Sequence, residues 1–256
     1  MLRRLDLNSD VGERETAEGL ALDAALMPLL TSVSIACGGH AGSPDLIRRT
    51  AAAAREHGVA IGAHPGLPDR ETFGRAERAI PSDVIQSVVA EQVAACRQVL
   101  AADGLRLRHV KPHGALYNMA ARDEETAGAI VTAVRDVDPS LKLYALAGSV
   151  LARVGEAAGL AVIHEGFADR AYGADGRLVP RGQTGAVIEH PDGVRAQLRR
   201  LIDGTMMTID GTVIPVFLHT LCLHSDTPQA LLLARMIREE LDRAGVNVVA
   251  ASDVDS

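Results

Sequence analysis

Tryptophan is absent from this 256-residue chain, and aromatic residues make up only 2% of it. With apolar content at 47%, a core must rest on Ala, Val, Leu and Ile, as in parallel-sheet folds. Cysteine is also scarce. Cys37, Cys96 and Cys222 cannot all pair and form no Cys-x-x-Cys, which excludes a disulfide scaffold and suits a reducing cytoplasm. No uninterrupted apolar run approaches a membrane span. Arg3 and Arg4 are followed by Asp6, Asn8 and Asp10 where a signal peptide would place apolar residues, so the expected location is cytoplasmic. The net charge of −7, with no separate basic cluster, argues against nucleic acid or an anionic membrane as partner. A Walker-type loop needs Gly-Lys-Ser/Thr, but the lysines follow Val110 and Leu141. Gly-x-Ser-x-Gly, His-Glu-x-x-His and Gly-x-Gly-x-x-Gly are missing too. Any ATP chemistry must use an unfamiliar site or another subunit.

Lysine itself is rare: 24 of the 26 basic residues are arginine, leaving Lys111 and Lys142. Lys111 stands in the stretch HVKPHGALYN, from His109 to Asn118. A chain that uses Arg for plain charge, yet places Lys here, points to a need for a compact, deprotonable amine; Lys142 shows that incidental lysines also occur. Pro112 prevents a helix, so the stretch reads as a strand with His109, Lys111 and His113 on one face. On a strand the two imidazoles are anchored about 13 Å apart, too far to share a metal.

Six other strand-like segments alternate with helical patterns. They are Leu5 to Asp10, Val33 to Cys37, Val59 to Ala63, Leu141 to Leu146, Leu160 to Phe167, and Phe217 to His224. The first places Leu7 on one face and Asp6, Asn8 and Asp10 on the other. Ser43-Pro44, Ser82, Asp123 and Thr227-Pro228 read as helix starts, and Gly58 and Gly104 as helix ends. The long helix from Ser82 carries an apolar stripe that includes Val84, Ile85, Val89 and Val93. Without a linker or composition break, the pattern predicts one α/β domain over residues 1–256. It is a TIM-like (β/α) barrel of about seven parallel strands, with an eighth possible near Val246 to Val249. Polar residues collect at six strand ends, which favours a barrel rim over an open sheet edge. The glycine-rich loop from Gly173 to Gly185 is expected to act as a mobile lid.

Several of those polar residues are candidates for chemistry. Asp10 and Glu13 flank Gly12 at the first strand's mouth, and two carboxylates in one pocket tend to divide into an ionised base and a neutral acid. The alternative is an acidic cap on the following helix. His40 and His64 end the second and third strands. With Asp10 they make a possible divalent-metal set, or they meet a substrate as neutral imidazoles. Arg75, Arg170 and Arg181 lie in loops where a guanidinium fork can grip a carboxylate. Asn8, Tyr172 and Asp226 complete the substrate-binding candidates. His57, His109 and His190 are not expected to act, and Cys37 and Cys222 read as buried fillers, Cys222 the nearer to the site.

DLNSDVGE from Asp6, SIACGGHAGSP from Ser34, VAIGAHPGLPDRETFGR from Val59, HVKPHGALYN from His109 and FADRAYGADGRLVPR from Phe167 together resemble the LamB/YcsF family. The resemblance covers nearly the whole chain in order. Ser9 and Gly39 stand where the family pattern leads one to expect Cys and Phe, and HSD from His224 replaces His-Gly-Asp. The resemblance implies an incomplete (β/α) barrel related to glycoside hydrolases and polysaccharide deacetylases. It also implies a complex with 5-oxoprolinase subunits B and C that converts 5-oxo-L-proline and ATP into L-glutamate, ADP and phosphate. In such an enzyme Asp10 or Glu13 would orient water. Lys111 and His113 would stabilise negative charge, with His40 and His64 completing the pocket or holding a metal. Two rivals remain open: a stand-alone, metal-dependent deacetylase-like hydrolase, and a non-catalytic 5-oxoproline-binding scaffold.

Overall fold

The computed structural model describes residues 3–227 and 229–251. The chain runs β1 (Arg4–Val11), α1 (Ala17–Leu26), a 3-10 turn (Met27–Leu29), β2 (Ser32–Ala36), α2 (Pro44–Glu56) and β3 (Ala60–His64). It continues with α3 (Ser82–Ala102), β4 (His109–Val110), α4 (Gly114–Ala120), α5 (Glu124–Val137), β5 (Lys142–Leu146), α6 (Val150–Ala157) and β6 (Val162–Phe167). The last part holds α7 (Pro191–Ile202), β7 (Thr205–Met207), β8 (Val213–Pro215), β9 (Thr220–Cys222), α8 (Ala230–Arg243) and β10 (Asn247–Val248).

Seven strands close a parallel ring in the order β1-β2-β3-β4-β5-β6-β9, and β9 returns to β1 with Asp6 opposite Thr220. The expected eighth strand exists as β10, but it is not a stave of the ring. It pairs with β1 at Arg4 and Leu5, on the edge that β2 occupies higher up: Asn247 N and Val249 N donate to Arg3 O and Leu5 O, as Thr31 N does to Leu7 O. The antiparallel pair β7–β8 was not foreseen. It is an excursion between α7 and β9, built from three-residue segments too short to carry a period.

The two faces of the strands bury different chemistry. Outward residues such as Leu5, Leu7, Val33, Ile35, Ile61, Val110 and Leu143 pack under the helices in one apolar shell. The inward face is polar. At its lower end Asp6, fully buried, accepts from Thr31 Oγ1 at 2.6 Å, Ser32 Oγ at 2.7 Å, Tyr144 Oη at 3.1 Å and Thr220 Oγ1 at 2.6 Å. A buried carboxylate without partners costs several kcal/mol. Burial still pushes the Asp6 pKa up, although the four hydroxyls oppose it. Above lie Asn8, Ser34, His109 and Glu165, with Ser34 Oγ 3.3 Å from His109 Nε2. His109 stacks on Tyr144 at 4.0 Å and belongs to this filling, away from the rim.

Ser43 caps α2 by accepting from Leu46 N, and Asp123 caps α5 by accepting from Thr126 N. The stripe of α3 is buried at Ile85, Val89, Val93, Cys96 and Leu100, but Val84 is exposed. Thr227 does not cap α8: the helix starts after Gln229 in the left-handed region, and the Thr227 hydroxyl donates to Asp169 instead. Pro228, the other half of that expected cap, lies outside the described residues. Lys142 Nζ donates to Ala251 O at 3.1 Å at the foot of the barrel. No helix among the described residues is long and apolar enough to cross a membrane.

Gly62 shows how tightly the interior is filled, since a Cβ there would overlap the His109 ring. Gly62→Ala is expected to lower stability by about 2–3 kcal/mol through overpacking. Urea unfolding checks this, and an unchanged midpoint would contradict it.

Candidate active site

At the rim, Lys111 follows the two-residue strand β4 and turns its ammonium into the barrel. Nζ lies 3.0 Å from Asp10 Oδ1, 2.9 Å from Glu165 Oε1 and 3.3 Å from Asn8 Oδ1, and donates to Cys222 Sγ at 3.1 Å. Burial alone would depress the amine, but the Asp10 and Glu165 carboxylates outweigh it and hold its pKa well above the usual lysine value. Lys111 is thus a fixed cation, contrary to the deprotonable amine expected from the sequence. Burial would raise Asp10, yet the Lys111 ammonium beside it keeps it below the ordinary carboxylate value. Cys222 stays a thiol, its pKa pushed well up by burial.

A second cluster adjoins the first. Gly12, at φ +68°, turns the chain after β1 so that Glu13 meets three imidazoles. Glu13 Oε1 is 3.1 Å from His40 Nε2, 3.3 Å from His113 Nδ1 and 3.9 Å from His64 Nε2. His113 stacks face to face on His40 at 3.6 Å. His64 Nδ1 donates to Lys111 O at 2.7 Å, and His113 Nε2 donates to Phe73 O at 2.9 Å. Phe73 takes the left-handed region at φ 56°, a costly conformation for a bulky residue. Burial and neighbouring positive groups hold His64 and His113 well below the usual imidazole value. Asp10 and Glu13 therefore do not act as a mutually titrating pair, as the sequence led one to expect: one faces an ammonium, the other faces imidazoles. Nor is Asp10 the acid centred on the histidines. It lies 3.4 Å from His64, but Glu13 is the carboxylate nearest to His40.

Both clusters open on a cavity of about 400 Å³ lined by Asp10, Glu13, His64, Lys111 and His113, among others, a size usual for small-molecule sites. His40 sits behind His113, outside that lining. Arg75 and Arg181 stand at the cavity wall beside Asp226; Arg75 pairs with its Oδ2, and Arg181 Nη2 lies 3.6 Å from its Oδ1. Three substrate-binding expectations change. Asn8 is fully buried beneath the cavity, donating to Glu165 and Thr220. The Tyr172 hydroxyl is inside the protein, accepting from Phe167 N at 2.7 Å. Arg170 lines the cavity, but it directs Nη2 and Nε to Val179 O and Ala186 O. It thereby pins the glycine-rich loop, which forms part of the cavity wall through Pro180, Arg181 and Gly182.

Sequence reasoning left out three groups. Glu165 is fully buried beside Lys111, and Tyr117 Oη donates to it at 2.8 Å. Its signal was a lone acid sharing a strand face with Ile163 and Phe167. His224 lines the cavity, with Nδ1 3.0 Å from Asp169 Oδ2. Asp169 is held to a pKa of about 2: burial pushes up, but His224 and Thr227 more than compensate. Those partners lie 55 and 58 positions away, so no local pattern pairs them.

The LamB/YcsF family model matches residues 5–256. The chain belongs to the LamB/YcsF family. A relative from Symbiobacterium thermophilum, named as the A subunit of 5-oxoprolinase, is 48% identical over 250 residues, covering 97% of this chain and 96% of that protein. Another of the same name from Bacillus subtilis is 44% identical over 251 residues, covering 98% of each. The crystal structure of the lactam utilization protein from Thermus thermophilus superposes with a TM-score of 0.88 at 43% identity, covering 96% of this chain and 99% of that one. The barrel expected from strand alternation is thus a LamB/YcsF barrel.

Lys111→Met would leave Asp10 and Glu165 buried without their cation. A loss of stability on the order of 3–5 kcal/mol at pH 7 is expected. In the parent chain the lowered Asp10 pKa stabilises the fold at every pH above the ordinary carboxylate value of 3.8 and is lost only as pH falls through the folded value. In the variant the orphaned acids bind protons more readily folded than unfolded, so its stability rises as pH falls. Urea titrations at pH 7 and pH 5 should show the gap narrowing; an equal gap at both would contradict this.

Proposed function

We propose that this chain is the A subunit of an ATP-dependent 5-oxoprolinase and opens the lactam ring of 5-oxo-L-proline with partner subunits B and C. The observation that carries this reading is the near-full-length identity to proteins that bear the 5-oxoprolinase name. A cavity with a buried cation, an ionised acid and arginines at its wall supports it.

A five-membered lactam is a stable amide. Opening it requires an activated carbonyl, a placed water and a protonated leaving nitrogen. Transfer of the ATP γ-phosphoryl group to the amide oxygen activates the carbonyl; in this reading the partners carry out that step, since the chain has no Gly-Lys-Ser/Thr loop. One water then adds to the ring carbonyl carbon and the C–N bond breaks as the nitrogen takes a proton, leaving the acyl phosphate of glutamate; a second water hydrolyses that acyl phosphate to L-glutamate and inorganic phosphate. Asp10, kept ionised, orients the water. Lys111 stabilises charge building on oxygen. His224, held at Nδ1 by Asp169, uses its other ring nitrogen to carry the proton. Arg181 and Arg75 hold the substrate carboxylate in competition with Asp226.

Glutamate formation by the purified chain, with and without subunits B and C, tests the reading. Product should require all three subunits together with ATP. In the complex, His224→Gln and Asp10→Asn should reduce turnover by about 100-fold or more, and Arg181→Ala should raise KM with little change in kcat. Wild-type turnover in both the His224 and Asp10 variants would overturn these roles. Hydrolysis by the chain alone, without ATP, would favour the stand-alone hydrolase.

A further inference from the structure

The imidazole cluster contains a conflict that the ring-opening reading does not use. Lys111 O and Phe73 O are carbonyls and can only accept, so the hydrogens of His64 and His113 must lie on Nδ1 and Nε2 respectively. The remaining nitrogens, His64 Nε2 and His113 Nδ1, then present lone pairs to one another at 2.9 Å. Glu13 Oε1 adds an acceptor 3.3 Å from His113 Nδ1, and His40 Nε2 lies 3.1 Å from that oxygen. Two imidazole lone pairs thus face one another with no hydrogen between them, beside a carboxylate oxygen and a third imidazole nitrogen.

We propose that Glu13, His40, His64 and His113 together bind one divalent transition-metal ion. Their four donor atoms lie within 4.8 Å of one another. For metal–donor bonds of about 2.0–2.1 Å, tetrahedral ligands stand ~3.3 Å apart; four of the six separations here are 2.9, 3.1, 3.3 and 3.9 Å, and the two from His40 to the other imidazoles are within 4.8 Å. Three imidazoles and a carboxylate suit zinc and its first-row neighbours and are poor for magnesium or calcium. Metal-bound histidines commonly donate their second N–H to a carbonyl, and His64 and His113 already do so. The left-handed Phe73 is what turns one of those carbonyls toward its ring. His40 is the exception: its Nδ1 has no hydrogen-bond partner among the described residues. The neighbouring group of Asp10, Cys222 and His224 is a poorer candidate, because the Lys111 ammonium already lies against Asp10 and Cys222. This set differs from the Asp10, His40 and His64 expected from the sequence, with Glu13 and His113 replacing Asp10. Beside the cavity, a bound ion would polarise an oxygen of water or substrate.

The test uses the full chain, stripped with a chelator and titrated with zinc chloride by calorimetry without substrate. Saturable binding of one ion per chain is expected, together with a rise in Tm. Glu13→Gln and His40→Ala, each verified as folded by circular dichroism, should weaken binding about 100-fold or more, while His57→Ala should not change it. Absence of saturable uptake, or unchanged uptake in both ligand variants, would overturn the proposal. Binding is read without 5-oxoproline or partners. A chain that takes up no ion while the complex still opens the ring would therefore reject the ion and leave the ring-opening reading standing.

Discussion

The ammonium of Lys111, held inside the barrel between Asp10 and Glu165, is the contact on which the rest of the site depends. It joins the ends of β1, β4 and β6, and through Cys222 it reaches β9. Desolvating three charged groups costs several kcal/mol each, and close pairing at 2.9–3.0 Å offsets that only if the surroundings are fixed. The surroundings are fixed: Asn8 and Tyr117 donate to Glu165, and the backbone N–H of Lys111 donates to Ala63 O. The polar filling of the ring, from Asp6 upward, keeps this charge system from resting on an apolar floor that could not hydrogen-bond to it.

The rim divides between two kinds of electrostatics. Asp10 and Lys111 form a charged pair in which each holds the other ionised, with Glu165 against the same ammonium. Glu13 and the three histidines form a group of lone pairs, with His64 and His113 kept neutral by burial and neighbouring cations. His64 belongs to both. Its Nδ1 is tied to the backbone of Lys111, while its Nε2 faces Glu13, Asp10 and His113. A displacement of Lys111 therefore alters the orientation of the imidazoles without any change in their own sequence.

Much of this was legible in the residues because a parallel barrel places each strand's last side chains on one rim. Asp10, His64, Lys111 and His113 were readable from their strand positions alone. The alternation of Asp6, Asn8 and Asp10 also announced an inward polar face, but a face does not state depth. Asn8 therefore passed for a rim residue when it lies a layer below. Tyr172 misled for the opposite reason: it follows a strand end, but its hydroxyl turns back onto the backbone of Phe167. Partnerships across long separations left no local trace. Asp169 with His224 and Glu165 with Lys111 are set by ring closure. The hairpin β7–β8 and the misplaced cap at Thr227 failed where segments were short or where a tertiary hydrogen bond outcompeted a helix end.

The near-exclusive use of arginine has a chemical consequence. One of the two lysines, Lys111, is buried at the cavity wall with its amine on Asp10 and Glu165, and the other, Lys142, is partly covered with its amine on Ala251 O. Side-chain positive charge on the outer surface is thus carried almost wholly by guanidinium groups, which do not become acylated as amines do. Acetylating reagents or enzymes would find almost no handle with which to alter the surface potential of this barrel, and its one functionally placed amine is shielded by the same burial that fixes its charge.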